Sequence, residues 1–287
     1  MFSGLAIGDE RNGERIVQAK ALIYCTLPQR LCEVQSVTRV ARTSPSERMR
    51  VTFSSVDPHV AIAFGADRAL LGWIQTRGFR DGIVSLESLT DFFRAFGLAR
   101  GGREYRTFRE RLRRLECLSL TLHLETPQED ARVYLHPVRA TRMPRATSVL
   151  GPASPAPLVH SRGRYGFELN GDFHAYLRQN PVPLPLSLLR HFHNRPKAWD
   201  LAVFVLYRCF AARVPSVVPW ADLLSQMSSE DHYPRRLKHS LAQILAEIRL
   251  VYPDFPVRFL PGFHGLHVEP WGVRGSSLRI SEKDSRR

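Results

Sequence analysis

"IVSLESLTDFFRAFGLARGGREYRTFRERLRRL", residues 83–115, decides the fold. "GIVSL" reads as a brief strand. In "SLESLTDFFRAFG", Leu89, Phe92, Phe93 and Phe96 recur at i, i+3, i+4 and i+7, the spacing of one buried helix face. Ser85 is placed to cap the start of that helix, and Gly97 sits just past its end. After "LARGG" a second helix follows. At roughly 100° per residue, its Tyr105, Phe108, Leu112 and Leu115 share an arc of about 80°. Arg103, Arg106, Arg113 and Arg114 fall on the opposite arc, and Arg109 and Arg111 flank the apolar stripe. Like charges at helical spacing repel, so a merely solvated helix usually mixes signs. A nearly one-signed face opposite a buried stripe suits a polyanion.

Working outward, "ADRALLGWIQTR" upstream is a helix with Leu70, Leu71 and Ile74 on one side. Downstream, "LSLTLHLE" and "ARVYLHPV" alternate as two strands joined by the polar turn "TPQED". The same order returns in the second half: helix "PKAWDLAVFVLYRCFAAR", strand "PSVV", helix "PWADLLSQM", turn "SSEDHY", helix "PRRLKHSLAQILAEIRLVY", and hairpin "PVRFL…GLHVEP". Aligning "IVSLESL" with "VVPWADL" pairs Ile83 with Val217 and Leu89 with Leu223, an offset of 134 residues. The expected fold is therefore α+β, two tandem winged helix-turn-helix domains, each offering its third helix to a DNA major groove. The N-terminal domain spans residues 1–142 with its leading strands, and the C-terminal domain spans 166–271. Between them, 143–165 is rich in proline and serine and reads as a linker; 272–287 reads as a disordered polar tail.

In the second basic helix Leu237, Leu241, Ile244, Leu245, Ile248 and Val251 form the stripe expected to be buried. Arg235, Lys238, His239 and Arg249 lie opposite, with Arg236 beside them and Ala242 and Ala246 between. Long cationic arms around small apolar residues fit a groove: the arms reach phosphates and guanines, and alanine can touch a thymine methyl. The candidate DNA contacts are thus Arg103, Arg106, Arg109, Arg113 and Arg114 on the first helix. On the second they are Arg235, Arg236, Lys238, His239, Ala242 and Arg249.

The whole chain has the matching charge. Its 287 residues carry 41 basic against 27 acidic side chains, a net +14, and only four of the 41 are lysines. Arginine's planar fork pairs bidentately with phosphate and guanine. Nucleic acid is the leading partner and an anionic membrane surface a poorer one. The longest apolar run, "LAVFVLY", is too short to span a bilayer, and "MFSGLAIGDERNGER" lacks the pattern of a signal peptide, so a cytoplasmic location is expected. Cys25, Cys32, Cys117 and Cys209 form no Cys-x-x-Cys pair; Cys117 and Cys209 fall among apolar residues and are expected to be buried thiols.

Catalytic signatures are missing. None of the four lysines follows a Gly-rich turn as a P-loop demands, and no Gly-x-Ser-x-Gly, His-Glu-x-x-His or dinucleotide-binding pattern occurs. No enzyme activity, cofactor or metal is expected. "HFH", His191 to His193, with Tyr233 further on, has the residue types of an HUH nicking endonuclease. That chemistry needs both imidazoles on one strand face. Here the pair follows the helical pattern "LPLSLLR", and at i, i+2 on a helix the rings diverge by about 200°. "HGLH", residues 264–267, falls in the predicted second wing and reads as exposed turn histidines.

These stretches resemble plasmid replication initiators of the RepA type. The resemblance is carried by "LLGWIQTRGFRDGIVSLESLTDFFRAFGLARGGREYRTFRERLRRL", by "PVPLPLSLLRHFHNRPKAWDLAVFVLYRCFAARVPSVVPWADLL", and by "ALIYCTLPQR" and "AEIRLVYPDFPVRF…GLHVEP", from about Ile16 to Trp271. It implies a non-enzymatic initiator that binds repeated duplex DNA at an origin, helps open adjacent AT-rich DNA, and recruits the host initiator and replicative helicase. It also implies exchange between a homodimer and a monomer. A winged-helix transcriptional regulator is the alternative from another class, and the HUH nickase a more distant one.

Overall fold

The computed structural model describes residues 15–44, 46–143, 164–227, 234–260 and 265–271. Strand β1 (Arg15–Ala19), the short helix α1 (Ala21–Tyr24), and strands β2 (Ser36–Ser44) and β3 (Glu47–Ser55) lead into the first winged unit. That unit begins with α2 (Asp67–Arg77), β4 (Ile83–Leu86), α3 (Thr90–Ala95) and α4 (Gly102–Glu116). Next come β5 (Leu118–Glu125), β6 (Asp130–Leu135), β7 (Val138–Arg142) and β8 (Tyr165–Leu169). The connection to the second unit is α5 (Gly171–Gln179), β9 (Pro181–Pro185) and α6 (Leu186–Phe192). The second unit is α7 (Pro196–Ala211), β10 (Ser216–Pro219), α8 (Trp220–Gln226), α9 (Pro234–Val251), β11 (Val257–Phe259) and β12 (Gly265–Val268).

In the second unit β10 pairs with β12 and β12 with β11, so a three-stranded antiparallel sheet with a terminal hairpin closes the helix-turn-helix. The first unit has the same plan, β4–β8–β7. Its wing is not the hairpin expected from "LSLTLHLE" and "ARVYLHPV". Those residues form β5 and β6, which join β2 and β3 in a separate four-stranded sheet. The reason lies in the alternation: Leu118, Leu120 and Leu122 are buried together with Met49, Val51 and Phe53 of the paired strand β3. An amphipathic sheet face needs such a partner, and β3 supplies eight paired positions.

The wing strands β7 and β8 flank the proline-rich stretch and pair with each other, Val138 with Leu169 and Arg142 with Gly166. A boundary at 165/166 therefore cuts through the sheet of the first unit. Residues 144–163, most of the expected linker, and the tail 272–287 lie outside the described residues.

Local chemistry sets the ends of the helices. Ser85 lies inside β4, not at a helix start; the Ser88 hydroxyl instead accepts from the Thr90 N–H at 3.2 Å where α3 begins. Gly97 ends α3 at φ +63°, and the bonds from Gly97 N–H to Arg94 O and from Leu98 N–H to Phe93 O make a Schellman cap. Pro196 opens α7, where its missing N–H costs nothing. In β9, prolines alternate, leaving Val182 and Leu184 to face Gln18 and Ile16 of β1.

One apolar core runs through both units. Trp73, Phe92, Phe93, Phe96 and Phe108 stack edge-on or tilted, and Phe96 reaches Trp199 of α7 at 6.3 Å between ring centroids. The Arg190 guanidinium donates to the Ala95 carbonyl at 2.6 Å, so the connection is held to α3 as well. Cys209 is buried, and burial pushes its thiol up to about 12; Cys117, at the end of α4, is only half-buried, contrary to expectation. Among the described residues, no helix is long and apolar enough to cross a membrane.

Candidate nucleic-acid interface

Helices α4 and α9 occupy the third-helix position of their units, as the periodicity predicts. On α4, Phe108, Leu112 and Leu115 are buried, and Tyr105 packs half-buried on Phe93 at 4.9 Å. Arg103, Arg106, Arg109 and Arg113 are exposed. Arg113 stands 3.7 Å from Asp57 but keeps 66% of its side chain in solvent. These four form the open cationic face.

Arg114, expected on that face, points elsewhere. Its Nε and Nη2 grip both oxygens of Asp67, at 2.7 and 2.9 Å, and its guanidinium covers the Phe64 ring at 4.6 Å. Arg111 joins the same carboxylate at 3.9 Å. Asp67 opens α2 and is buried, and its Oδ2 also accepts the Phe64 N–H at 3.0 Å. Local periodicity could not place Arg114, because its partner lies 47 residues away.

On α9, Leu237, Leu241, Ile244, Leu245 and Ile248 are buried. Val251 is 47% exposed instead of buried, because the helix runs beyond its last core turn and Tyr252 takes the inward position. Arg235, Arg236, His239, Ala242 and Ala246 are exposed. His239 lies 3.2 Å from Gln243 along the same face. Lys238 is half-buried, its ammonium 5.4 Å from the Phe259 ring centre on β11. Arg249 is exposed but already engaged, donating from Nη2 to the Val257 carbonyl at 2.6 Å. The structure thus leaves Arg235, Arg236 and His239 around Ala242, and turns Lys238 and Arg249 toward the wing.

Each third helix is also strutted to the start of its unit's first helix. In the first unit the strut is Asp67 with Arg114. In the second, Arg195, just before α7, grips Glu247 of α9 with two bonds of 2.7 and 2.8 Å, and His191 adds a contact of 2.5 Å. Arg195 first, and then His191, hold the Glu247 carboxyl below its usual range. The polarity is reversed between the units: the third helix supplies the cation in one and the anion in the other.

This geometry also separates the two histidines of "HFH". His191 faces Glu247, whereas His193 Nδ1 meets the Arg190 carbonyl at 2.6 Å and its ring lies against Phe96. The two rings do not converge on a shared point, and Tyr233 lies outside the described residues. Of "HGLH", His267 is on β12, paired opposite Val217 and Arg258, while His264 lies outside the described residues.

The wings carry further exposed cations, outside the two helices that periodicity singles out. Arg139 of β7 lies 3.2 Å from Glu168 with 58% of its side chain exposed, and Arg258 of β11 lies 2.6 Å from Glu269 with 68% exposed. The strand "VRATR" shows the alternation needed to find the first, had the wing been placed there.

The architecture has solved counterparts. It is similar to a selenomethionine derivative of domains 2 and 3 of RctB, with a TM-score of 0.50, 14% identity and 86% of each chain covered. A second structure of RctB domains 2–3 gives a TM-score of 0.46 and 15% identity over 79% of this chain and 82% of that one. The fold is that of tandem winged helices. No family model matches the chain, and no curated protein does.

Proposed function

We propose that this protein is a non-enzymatic replication initiator that binds repeated duplex DNA at a plasmid origin through α4 and α9. The observation that carries the reading is the exposed cationic face on the third helix of each winged unit: Arg103, Arg106, Arg109 and Arg113 on one, Arg235, Arg236 and His239 on the other. A winged helix presents this element to the major groove, where arginine and histidine can reach both phosphates and base edges. The net charge of +14 adds long-range attraction to a polyanion. The resemblance to RepA-type initiators supplies the process: origin opening, recruitment of the host initiator and replicative helicase, and a homodimer that exchanges with the monomer. Such a protein works in the cytoplasm without a cofactor.

The test is a salt titration of binding to duplex DNA containing the tandem repeats beside the gene. If six phosphates are neutralised, log K against log salt has a slope of about −5. A slope near zero overturns the reading. Incubation of single-stranded origin DNA with a divalent metal tests the absence of nicking activity: a covalent tyrosyl adduct would make the protein a nickase.

A further inference from the structure

Six arginines project from α4, yet they divide into two groups. Arg103, Arg106, Arg109 and Arg113 are exposed, whereas Arg111 and Arg114 keep only 20% and 18% of their side chains in solvent. On a helical wheel Arg114 lies roughly 20° from Arg103, so nothing in α4 itself separates them. The separation comes from α2. Asp67 takes Arg114 in a two-pronged grip at 2.7 and 2.9 Å, draws in Arg111 at 3.9 Å, and is fixed by the Phe64 N–H at 3.0 Å. The stacking of Arg114 on Phe64 closes the assembly.

We propose that Asp67 is a specificity-determining residue: it withholds Arg111 and Arg114 from the phosphate backbone and so limits sequence-independent binding. The inference rests on the DNA-binding reading above. Phosphate contacts raise affinity for every sequence alike, while base contacts discriminate. A recognition helix with all six cations free gains more on random DNA than it gains in discrimination. In the second unit the strut works the other way: its acid, Glu247, belongs to α9 and Arg195 comes from outside it, so this pair ties up none of the cations of α9. Asp67 acts through the two arginines and touches no DNA, which makes it a positioning residue.

The experiment uses the full chain and a fluorescein-labelled duplex of random sequence, about three helical turns long. Binding is measured from about 50 to about 200 mM salt. Asp67→Asn keeps the shape and an acceptor for the Phe64 N–H but removes the charge. It is expected to bind random DNA several-fold tighter at low salt and to steepen the salt slope by up to about 2, as two further cations reach phosphates. Adding Arg111→Gln and Arg114→Gln to that variant returns the slope to the wild-type value. A loosened fold that freed other cations would not return to the wild-type slope on removal of Arg111 and Arg114 alone. In the otherwise wild-type chain, Arg114→Gln leaves the slope unchanged, while Arg106→Gln flattens it by about 1. This pair decides the matter if circular dichroism shows Asp67→Asn to be unfolded. The inference is overturned if folded Asp67→Asn has an unchanged or shallower slope, or if Arg114→Gln flattens the slope as much as Arg106→Gln. A wild-type slope near zero would remove the DNA-binding reading itself, an outcome distinct from either.

Discussion

Arg68 of α2 and Asp200 of α7 meet across the two winged units, Nε lying 2.8 Å from Oδ1 with both side chains 5% exposed. Arg68 also donates to the carbonyls of Gly65 at 2.5 Å and Leu27 at 2.7 Å, so one guanidinium ties a loop, a helix start and the second unit together. Its contact with Asp200 is a charge pair more than an aligned hydrogen bond. Asp200→Ala leaves a buried, uncompensated guanidinium and is expected to cost about 3–5 kcal/mol. Replacing both partners, Arg68→Met with Asp200→Leu, should recover most of that loss, because no charge then remains to be desolvated. Urea unfolding of the two variants and the wild type checks this; a double variant as unstable as the single one would show that the pair is not the cause.

Burial pushes the Asp200 carboxyl up to about 6, against the opposing pull of Arg68. Its folded pKa is thus above the unfolded value, and between about pH 4 and pH 6 the folded chain holds the proton more tightly. This group's contribution is fully present below pH 4 and is lost as pH rises through 6, a change on the order of 2–3 kcal/mol. Asp200→Asn cannot ionise. The stability of the wild type relative to that variant should therefore rise as pH falls from 6.5 to 4, by the same linkage. An unchanged difference over that range would refute the assignment.

On the proposed DNA-binding reading, α4 and α9 should divide the labour. Replacing Arg103 and Arg106 with alanine removes exposed cations from a face with little else on it. Affinity for origin and scrambled duplexes should fall by similar factors, with the salt slope flatter by about 2. Replacing Arg235 and His239, which surround Ala242, should instead narrow the gap between the two duplexes, since each base contact contributes about 1–3 kcal/mol of discrimination. Competition binding at one fixed salt distinguishes these outcomes. Loss of sequence preference in the Arg103/Arg106 variant alone would reverse the roles.

Two glycines give opposite forecasts. A Cβ on Gly265 of β12 would lie 2.4 Å from the Val218 carbonyl oxygen, a backbone atom that cannot swing away. Gly265→Ala should cost about 1–3 kcal/mol by forcing β10 and β12 apart. Gly102, at the start of α4, has nothing within 4 Å of the corresponding position. Gly102→Ala should stabilise the protein by about 0.4–1 kcal/mol by restricting the unfolded chain. Thermal melts of both variants test the contrast, and a stabilised Gly265→Ala would contradict the close packing of the second wing.

Much of this fold was legible because helix signals are local. Leu89, Phe92, Phe93 and Phe96 announce their helix within eight residues, and all four are buried. The offset that pairs Leu89 with Leu223 persists into α4 and α9 and then fails. The inserted strands β5 and β6 and the long connection between β7 and β8 break it in the first unit. Strand partners are chosen by remote apolar faces, so alternation in "LSLTLHLE" could establish a strand but not its sheet. The candidate interface was readable to the same depth. Arg103, Arg106, Arg109 and Arg113 stand where periodicity puts them, while Arg114 and Arg249 are claimed by Asp67 and by the Val257 carbonyl, partners that no helical wheel contains.

The pairing of β4 with β8 bears on how the chain is made. Ile83 faces Glu168, and farther out Arg15 faces Pro185, so the sheet of the first unit and the strand that begins the described fold both wait for residues near the start of the second half. During synthesis α2, α3 and α4 can form early from local contacts, but the first wing cannot close until Leu169 has left the ribosome. Until then, the faces later covered by β8 and β9 remain open to water and to other chains. A nascent chain halted before Tyr165 should accordingly be captured by chaperones more strongly than one extended past Pro185, and full release should wait for α7, whose Trp199 and Asp200 complete the shared core.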